Sequence, residues 1–241
     1  MKAFILAAGL GSRLAPLTNN KPKALVEFNG KPMLQGLIER LKEQGFDKLL
    51  INVHHFGDLV IDFLKQHNNF GIDITISDER DLLLDTGGAV IKAARFFNGD
   101  EPILIHNVDI YSDFDFTKLI ENHNKFGALV TLAVRERESS RKLLFDENYN
   151  LSGWRNINTG EFKWVNSQPE NYLERAYSGI YIASPEYPKT IKQSGSFSIV
   201  HEWLKLAKKN LIKGIEYNEG FWFDLGTINK IKEAEKAINK E

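Results

Sequence analysis

Residues 6–25 read LAAGLGSRLAPLTNNKPKAL and follow directly on a short apolar run that predicts a buried first strand. Gly9 and Gly11 have no Cβ, so backbone N–H groups in this stretch can approach an anion closely. Arg13 can hold phosphate oxygens with its planar fork, and Lys23 adds a compact positive charge. The stretch therefore predicts a loop that cradles a triphosphate.

Two better-known phosphate loops do not fit this stretch. A dinucleotide-binding loop has Gly-x-Gly-x-x-Gly, and the third glycine is replaced here by Leu14. A Walker loop ends in Gly-Lys-Ser/Thr, and that tripeptide is absent from the stretch. An ordinary glycine turn after a strand stays open as the alternative.

Composition bounds the class of protein. The chain has 241 residues, 42% of them hydrophobic, which is enough to bury one sizeable core. The net charge of −1 gives no reason to expect a nucleic-acid or membrane surface as a partner. Cysteine is absent and no signal-peptide pattern opens the chain, so we expect a cytoplasmic protein. The sequence does not predict an oligomeric state.

Apolar runs and helix-period segments alternate along the chain. This order predicts an α/β fold of Rossmann-like type, with a mostly parallel central sheet flanked by helices. Residues 135–175 are polar and rich in aromatic residues, and we interpret them as a small antiparallel β insertion. Ligands bind such sheets at the carboxyl ends of the strands, so motifs at those ends carry the most information.

Two aspartates follow predicted strands. Asp109 ends the segment His106–Asp109 after an apolar run, and Asp224 lies in the segment Phe221–Thr227 before the last helix. A carboxylate at the end of a buried strand needs a partner, and Mg²⁺ accepts one or two carboxylates together with phosphate oxygens and water. The alternative is that each acid only caps the helix that follows it.

The segment Leu84–Ala89 opens a predicted helix with small residues. Thr86, Gly87 and Gly88 would let a planar base approach, and the free N–H groups of the helix start could bind it. An ordinary helix start is the alternative interpretation.

Taken together, these motifs resemble the sugar-1-phosphate nucleotidyltransferases, also called nucleotide-sugar pyrophosphorylases. Their pattern is a strand, then Leu-Ala-Ala-Gly-x-Gly-x-Arg-Leu-x-Pro-Leu-Thr, then Lys-Pro-Lys-x-Leu, and every position is filled here. The resemblance implies catalysis by Arg13, Lys23, Asp109 and Asp224, with Asp109 and Asp224 as ligands of a Mg²⁺ cofactor.

The resemblance also implies the substrates, a nucleoside triphosphate and a sugar-1-phosphate, which would give a nucleotide-sugar and pyrophosphate. Glu79 matches an acidic position near the base in one branch of the family. The nucleotide-binding residues implied are Leu6, Ala7, Ala8, Gly9, Gly11, Ser12, Glu79, Thr86, Gly87 and Gly88.

The sugar side is less well defined. Many relatives carry Glu-Lys-Pro in the central insertion, and this chain does not. Arg141–Asp146 and Tyr177–Tyr181 instead resemble a compact branch that includes the N-acetylmuramate-1-phosphate uridylyltransferases. The sugar-binding residues predicted on this basis are Asn107, Lys142, Arg175 and Gly179; surface charge is the alternative for the two cations.

The predicted organisation is one nucleotidyltransferase domain over 1–241. It comprises a nucleotide-binding half (1–134), a sugar-binding half with the insertion (135–226) and a C-terminal helix (227–241). The favoured reaction joins UTP and N-acetylmuramate-1-phosphate or a similar hexose-1-phosphate. The alternatives are a guanylyltransferase for mannose- or heptose-1-phosphate, a phosphocholine cytidylyltransferase, or a regulator that binds nucleotide-sugars without catalysis.

Overall fold

A computed structural model of the chain describes residues 1–238. Within them the strands are β1 (Lys2–Leu6), β2 (Glu27–Phe28), β3 (Lys31–Pro32), β4 (Lys48–Val53), β5 (Asp73–Asp78), β6 (Ile103–Asn107), β7 (Ile110–Ser112), β8 (Val130–Arg135), β9 (Arg141–Phe145), β10 (Leu151–Asn156), β11 (Glu161–Trp164), β12 (Leu173–Ala183), β13 (Ile212–Glu216) and β14 (Trp222–Asp224).

The α-helices in the same residues are α1 (Met33–Glu43), α2 (Gly57–Gln66), α3 (Asp85–Lys92), α4 (Phe116–Phe126), α5 (Tyr187–Thr190), α6 (Ile199–Leu206) and α7 (Ile228–Ile238). The predicted α/β class is confirmed, with a mostly parallel sheet, flanking helices and antiparallel strands in the insertion. The last three residues of the predicted C-terminal helix (227–241) lie outside the described residues. No helix among residues 1–238 is long and apolar enough to span a bilayer.

The chain divides into two compact units that interleave in sequence. The first contains Met1–Asp85, His106–Asp113 and the C-terminal segment from Gly220, and the second contains Thr86–Ile105 and Phe114–Glu219. The sequence analysis divided the chain at residue 134 into a nucleotide-binding half and a sugar-binding half. That division concerns ligand binding and stays a prediction.

Parallel strands form the centre of the first unit. β1 pairs with β4 and β4 with β5, in registers that place Lys2 opposite Lys48 and Lys48 opposite Asp73. The interiors of β1 and β4 are buried, as expected for apolar runs in a parallel sheet, whereas most residues of the outer strand β5 keep some exposure. The Val108 N–H donates to the Leu6 carbonyl at 3.1 Å, so the chain after β6 runs beside the end of β1.

An apolar cluster in the same unit, here called the Leu14 cluster, joins distant parts of the chain. Each member is no more than 6% exposed. Its residues are Leu14, Val26, Phe28, Met33, Leu225, Ile231 and Ala234.

The second unit is built around β8. β12 pairs with β8 in the antiparallel sense and β13 pairs with it in the parallel sense. The strands β9, β10 and β11 form an antiparallel meander that joins β12 through β9, as predicted for the insertion. Fully buried aromatic side chains fill the core, and the Trp203 indole N–H donates to the Tyr187 hydroxyl at 2.8 Å.

A buried histidine on α4 is held by two hydroxyls. His123 is 3% exposed, with Nδ1 2.8 Å from Thr131 Oγ1 and Nε2 3.1 Å from Ser184 Oγ. Burial lowers the pKa of His123 to about 4, against an ordinary value of 6.5, because the charged imidazolium is desolvated there.

We predict that His123 makes stability fall at acid pH. The unfolded chain takes up this proton near pH 6.5 and the folded chain only near pH 4, so stability is lost as pH falls through that window. The loss amounts to about 1.4 kcal/mol per pH unit and about 3 kcal/mol in all. The variant His123→Gln has no imidazole to take up this proton. The difference in unfolding free energy between the wild type and His123→Gln is therefore expected to shrink from pH 7 to pH 4, as measured by urea titrations.

Ser184→Ala is the matched control, because it removes a hydrogen bond and keeps the imidazole. Its deficit relative to the wild type is expected to stay constant over the same pH range. A constant deficit for His123→Gln would contradict the assignment.

Candidate active site

The predicted phosphate loop lies between β1 and a 3₁₀ turn at Ser12–Leu14. Gly11 has φ of 67°, and a Cβ there would lie 2.9 Å from Thr18 Cγ2 and 3.0 Å from Lys23 Cβ. Only glycine meets both the left-handed φ and the close approach. Gly9 is exposed, and no described atom lies within 4 Å of its Cβ position, which leaves room for a ligand beside the loop.

Arg13 is held by its neighbour in sequence. Leu14 is fully buried in the Leu14 cluster, while the Arg13 side chain is exposed. The Leu14 N–H donates to the Gly11 carbonyl at 2.8 Å, which closes the turn. The turn thus buries Leu14 and leaves the Arg13 side chain outside the Leu14 cluster.

The two aspartates are brought together by the short ladder of β7 and β14. Asp224 is opposite Ile110 in this antiparallel pair, and the Leu225 N–H donates to the Asp109 carbonyl at 2.8 Å. Leu225 is buried in the Leu14 cluster, as Leu14 is. Asp109 and Asp224 therefore come from distant stretches of sequence to one place in the first unit.

Helix capping does not account for either aspartate. α4 is capped by Asp115, whose Oδ1 accepts from the Lys118 N–H at 2.9 Å. At the start of α7 the Thr227 hydroxyl oxygen accepts from the Lys230 N–H at 3.4 Å. α4 is thus capped by a residue other than Asp109, and α7 by a residue other than Asp224.

Gly226 marks the point where three functional groups converge. A Cβ built on this glycine would lie 2.8 Å from Asp224 Oδ1, 2.9 Å from Arg13 Nη2 and 3.3 Å from Asp109 Oδ2. The fourth predicted group, Lys23, pairs with Asp109. The structure thus gathers all four predicted catalytic residues in the first unit.

Each carboxylate has a lysine partner. Lys23 Nζ pairs with Asp109, and the two side chains are 13% and 12% exposed. Lys230 Nζ pairs with Asp224 in the same way. Burial by itself raises the pKa of Asp224, but Lys230, the Gly226 N–H and Arg13 together hold that pKa below its ordinary value. Both the ion pair and Arg13 therefore favour the ionised carboxylate.

Lys230 was not predicted from the sequence. It lies in the first turn of α7, six residues after Asp224, and nothing in its local pattern separates it from other helical lysines.

Asn52 is a second residue that the sequence analysis missed. It is 3% exposed on β4, and its Oδ1 accepts from the N–H groups of Ala7 at 2.6 Å and Ala8 at 3.2 Å. Its Nδ2 donates to Glu79 Oε1 at 2.9 Å, and Glu79 Oε2 accepts from the Leu84 N–H at 3.3 Å. Asn52 thus ties the phosphate loop to the segment after β5. A polar residue inside an otherwise apolar strand is the signal that could have identified it.

These bonds bear on the predicted nucleotide-binding residues. Leu6, Ala7, Ala8 and Ser12 all lie at the phosphate loop, but the Ala7 and Ala8 amides already donate to Asn52. Glu79 is 1% exposed, and its carboxylate accepts hydrogen bonds from the Asn52 side chain and from the Leu84 N–H. Its contact with the base stays a prediction.

Thr86, Gly87 and Gly88 lie in the first turn of α3, in the second unit. The Thr86 hydroxyl oxygen accepts from the Ile199 N–H at 3.0 Å, and the Gly87 N–H donates to the Phe197 carbonyl at 2.9 Å. A Cβ at Gly87 would lie 2.1 Å from the Phe197 ring, so packing alone requires that glycine. Their role toward a base also stays a prediction.

The predicted sugar-binding residues do not all lie in one unit. Asn107 ends β6 in the first unit, while Lys142, Arg175 and Gly179 lie in the second. Gly179 has φ of 79° and lies at a register irregularity of β12. Arg175 is paired with Glu216 at 2.9 Å and contacts the Tyr149 hydroxyl at 3.4 Å, so much of its guanidinium is already engaged.

A cavity of about 530 Å³ opens in the second unit beside β9, β10 and β11. Lys142 lines it, and its Nζ donates to the Arg137 carbonyl. Trp154, Tyr177 and His201 also line it. Its volume is within the range of small-molecule sites.

The donor set limits which metal could bind. Residues 1–238 contain no group of three or more His, Cys, Asp and Glu side chains arranged to hold a metal ion. Asp109 and Asp224 are a pair of carboxylates, which is the protein contribution that Mg²⁺ commonly uses beside phosphate oxygens and water.

Comparison with known proteins identifies the family of the chain. A family model described as nucleotidyl transferase matches residues 2–145, which is more than half of the chain. The N-acetylmuramate alpha-1-phosphate uridylyltransferase of Neisseria meningitidis serogroup B is 30% identical over 98% of this chain and 97% of its own length. The mannose-1-phosphate guanyltransferase of Yarrowia lipolytica is 29% identical over 94% of this chain, which spans 61% of that relative.

Among solved structures, HddC from Yersinia pseudotuberculosis complexed with GMP-PN has a TM-score of 0.76 at 22% identity. The likeness covers 98% of this chain and 99% of that one, and at this identity it shows the fold alone.

We predict that Asn52 stabilises the folded chain through its buried network. Asn52→Ala leaves two buried N–H groups and one carboxylate oxygen without their partner, which costs about 3 kcal/mol of unfolding free energy. Asn52→Asp is expected to be worse, because it faces a second carboxylate across the same bond. Urea unfolding of the purified variants measures both effects.

The double variant Asn52→Asp/Glu79→Gln is the control, because the glutamine amide can donate a hydrogen bond to the new aspartate. Partial recovery of stability is expected, and no recovery would contradict the network.

Proposed function

Because the chain belongs to the nucleotidyl transferase family, we propose that it transfers a nucleotidyl group from a nucleoside triphosphate to a sugar-1-phosphate. The observation that carries the proposal is the convergence of Arg13, Asp109 and Asp224 around Gly226, beside an exposed glycine loop. A phosphate loop, a guanidinium and two carboxylates are the parts that phosphoryl transfer needs.

In this reaction an oxygen of the sugar-1-phosphate attacks the α-phosphorus in line. A new O–P bond forms, the bond to the β-phosphate oxygen breaks, and pyrophosphate leaves. The attacking oxygen is already anionic, so no general base is required. Positioning and charge neutralisation supply the catalysis. Arg13 is proposed to hold the departing β- and γ-phosphates, and Lys23 to stabilise charge at the α-phosphate.

A divalent metal ion, proposed to be Mg²⁺, fits the residues present. Asp109 and Asp224 would hold it, since their oxygens lie 3.3 and 2.8 Å from the Cβ position built on Gly226. When bound, Mg²⁺ would neutralise charge on the triphosphate. Lys23 and Lys230 already pair with these carboxylates and would keep them oriented.

We further propose UTP and N-acetylmuramate-1-phosphate, or a similar hexose-1-phosphate, as the substrate pair. The support is the match of a relative with that activity over 97% of its own length, whereas this chain spans 61% of the Yarrowia lipolytica guanyltransferase. The acceptor is proposed to bind at the cavity of the second unit, which Lys142 lines, with Gly179 near its sugar ring. We propose that Asn107 contacts the sugar, and that Glu79 and the turn Thr86–Gly88 contact the nucleotide. Arg175 is proposed only as a support of the acceptor site.

The test is pyrophosphate release with Mg²⁺, in which UTP, CTP, GTP, ATP and dTTP are each combined with a panel of sugar-1-phosphates. The panel includes N-acetylmuramate-1-phosphate and mannose-1-phosphate. Release with UTP and the muramate is expected, with no release after chelation by EDTA. Release only with GTP and mannose-1-phosphate would overturn the substrate pair and keep the reaction. No release from any pair would overturn the proposed function.

Arg13→Ala is expected to lower kcat by about 10²–10³-fold, because one preorganised donor to the phosphates is removed. The measurement is steady-state pyrophosphate release with the best substrate pair. Arg13→Lys is expected to recover only part of the rate, since an ammonium cannot form the bidentate contact.

Arg95→Ala is the matched control, because Arg95 is an exposed arginine on a different part of the chain. Near-normal turnover of Arg13→Ala, or an equal loss in the control, would contradict the role of Arg13.

A further inference from the structure

The floor of the cavity in the second unit is one face of the β9–β10–β11 meander. Arg141, Asn156 and Glu161 are cross-strand partners in one row, and Leu143, Trp154 and Lys163 are partners in the next. Residues two apart on a strand point to the same face, so both rows face the cavity that they line.

The middle of this floor is apolar. Trp154 is 6% exposed, and its ring is covered by Lys163, whose Nζ lies 5.3 Å from the ring centroid. His201 of α6 packs edge-on against the same ring at 5.4 Å between centroids. Trp154 is thus packed beneath Lys163, and the exposed groups of the floor are the charged side chains above it.

The rim of the same floor is basic. Arg141, Lys142, Lys163 and His201 line the cavity, and Glu161 is the one acid among its lining residues in the described chain. The pair between Lys163 and Glu161 is 3.3 Å long with both side chains more than 40% exposed, so it binds Lys163 only weakly. Burial is the largest cause that lowers the pKa of His201. The charges of Lys163 and Arg141 lower it further. The field at the rim is therefore positive.

We infer that Arg141 and Lys163 select an acceptor that carries a carboxylate in addition to its phosphate. This inference rests on the proposed function and deepens it, because it names the substrate class and the residues that read it. Lys142 lies between the two rows on β9 and points to the other face of the meander, where its Nζ donates to the Arg137 carbonyl. Arg141 and Lys163 are therefore the cations that the floor offers to an anion. His201 adds a hydrogen-bonding group at the same rim.

Two sources of that carboxylate can be told apart. One is a lactyl ether on the sugar ring, as in N-acetylmuramate-1-phosphate, and the other is a uronic acid, as in glucuronate-1-phosphate. Each has a neutral counterpart with the same phosphate: N-acetylglucosamine-1-phosphate and glucose-1-phosphate.

The experiment measures kcat/KM for both pairs in the wild-type protein and in Arg141→Gln/Lys163→Gln. The wild type is expected to prefer an acidic acceptor over its neutral counterpart, and the double variant to lose about 10–100-fold of that ratio. The pair that shows the effect identifies the source of the carboxylate. Lys208→Gln/Lys209→Gln removes the same charge from exposed positions of the same unit and is expected to keep the ratio.

Two results would overturn the inference: a wild type without preference, or a double variant whose ratio is unchanged because it loses activity by the same factor on acidic and neutral acceptors. The second would mean that the two cations read the phosphate.

Failure of the proposed function is kept distinct by calorimetry. Binding of each acceptor is measured in the presence of α,β-methylene UTP, which cannot be turned over. If no pair releases pyrophosphate, tighter binding of an acidic acceptor that the double variant loses would still support the inference. Equal binding of both acceptors, or binding of neither, would overturn it.

Discussion

The burial of Leu14 and Leu225 in one apolar cluster is the constraint on which the active site depends. Each leucine directly follows a functional residue, Arg13 in one case and Asp224 in the other. The side chains of adjacent residues leave the backbone in different directions, so a leucine held in the core turns its neighbour away from it. The guanidinium and the carboxylate are thereby aimed at the same point beside Gly226. Apolar packing thus sets the geometry of a charged site.

The sequence was sufficient for the architecture. It also named four charged residues that the structure brings together in the first unit, and their catalytic role stays a prediction. Buried parallel strands form apolar runs and amphipathic helices show a period of their own, so their alternation along the chain predicts the α/β class. Arg13 and Lys23 stand at fixed places in a glycine- and proline-containing stretch, and Asp109 and Asp224 follow apolar strands. The strands β2 and β7 are two and three residues long, too short for any periodicity to be visible in the sequence.

The partners of these residues could not be predicted, because they depend on contacts between distant stretches. Lys230 looks like any other helical lysine until α7 lies beside Asp224. Asn52 and Glu79 are separated by 27 positions, and only the pairing of β4 with β5 brings them into one network. Arg175 shows the reverse case: its sequence context suggests a ligand contact, yet Glu216, 41 residues later, already holds its guanidinium.

The interleaved course of the first unit has a consequence for biosynthesis. Residues up to Asp85 leave the ribosome long before the segment from Gly220, which supplies Leu225, Ile231 and Asp224. At ordinary elongation rates the interval is on the order of ten seconds. Throughout it Leu14 lacks part of its apolar cover, and the nascent phosphate loop has no second carboxylate opposite it. The chain therefore cannot bring these charged residues together until the segment that leads into α7 is being made, and a chaperone that shields apolar surface has a defined interval in which to act.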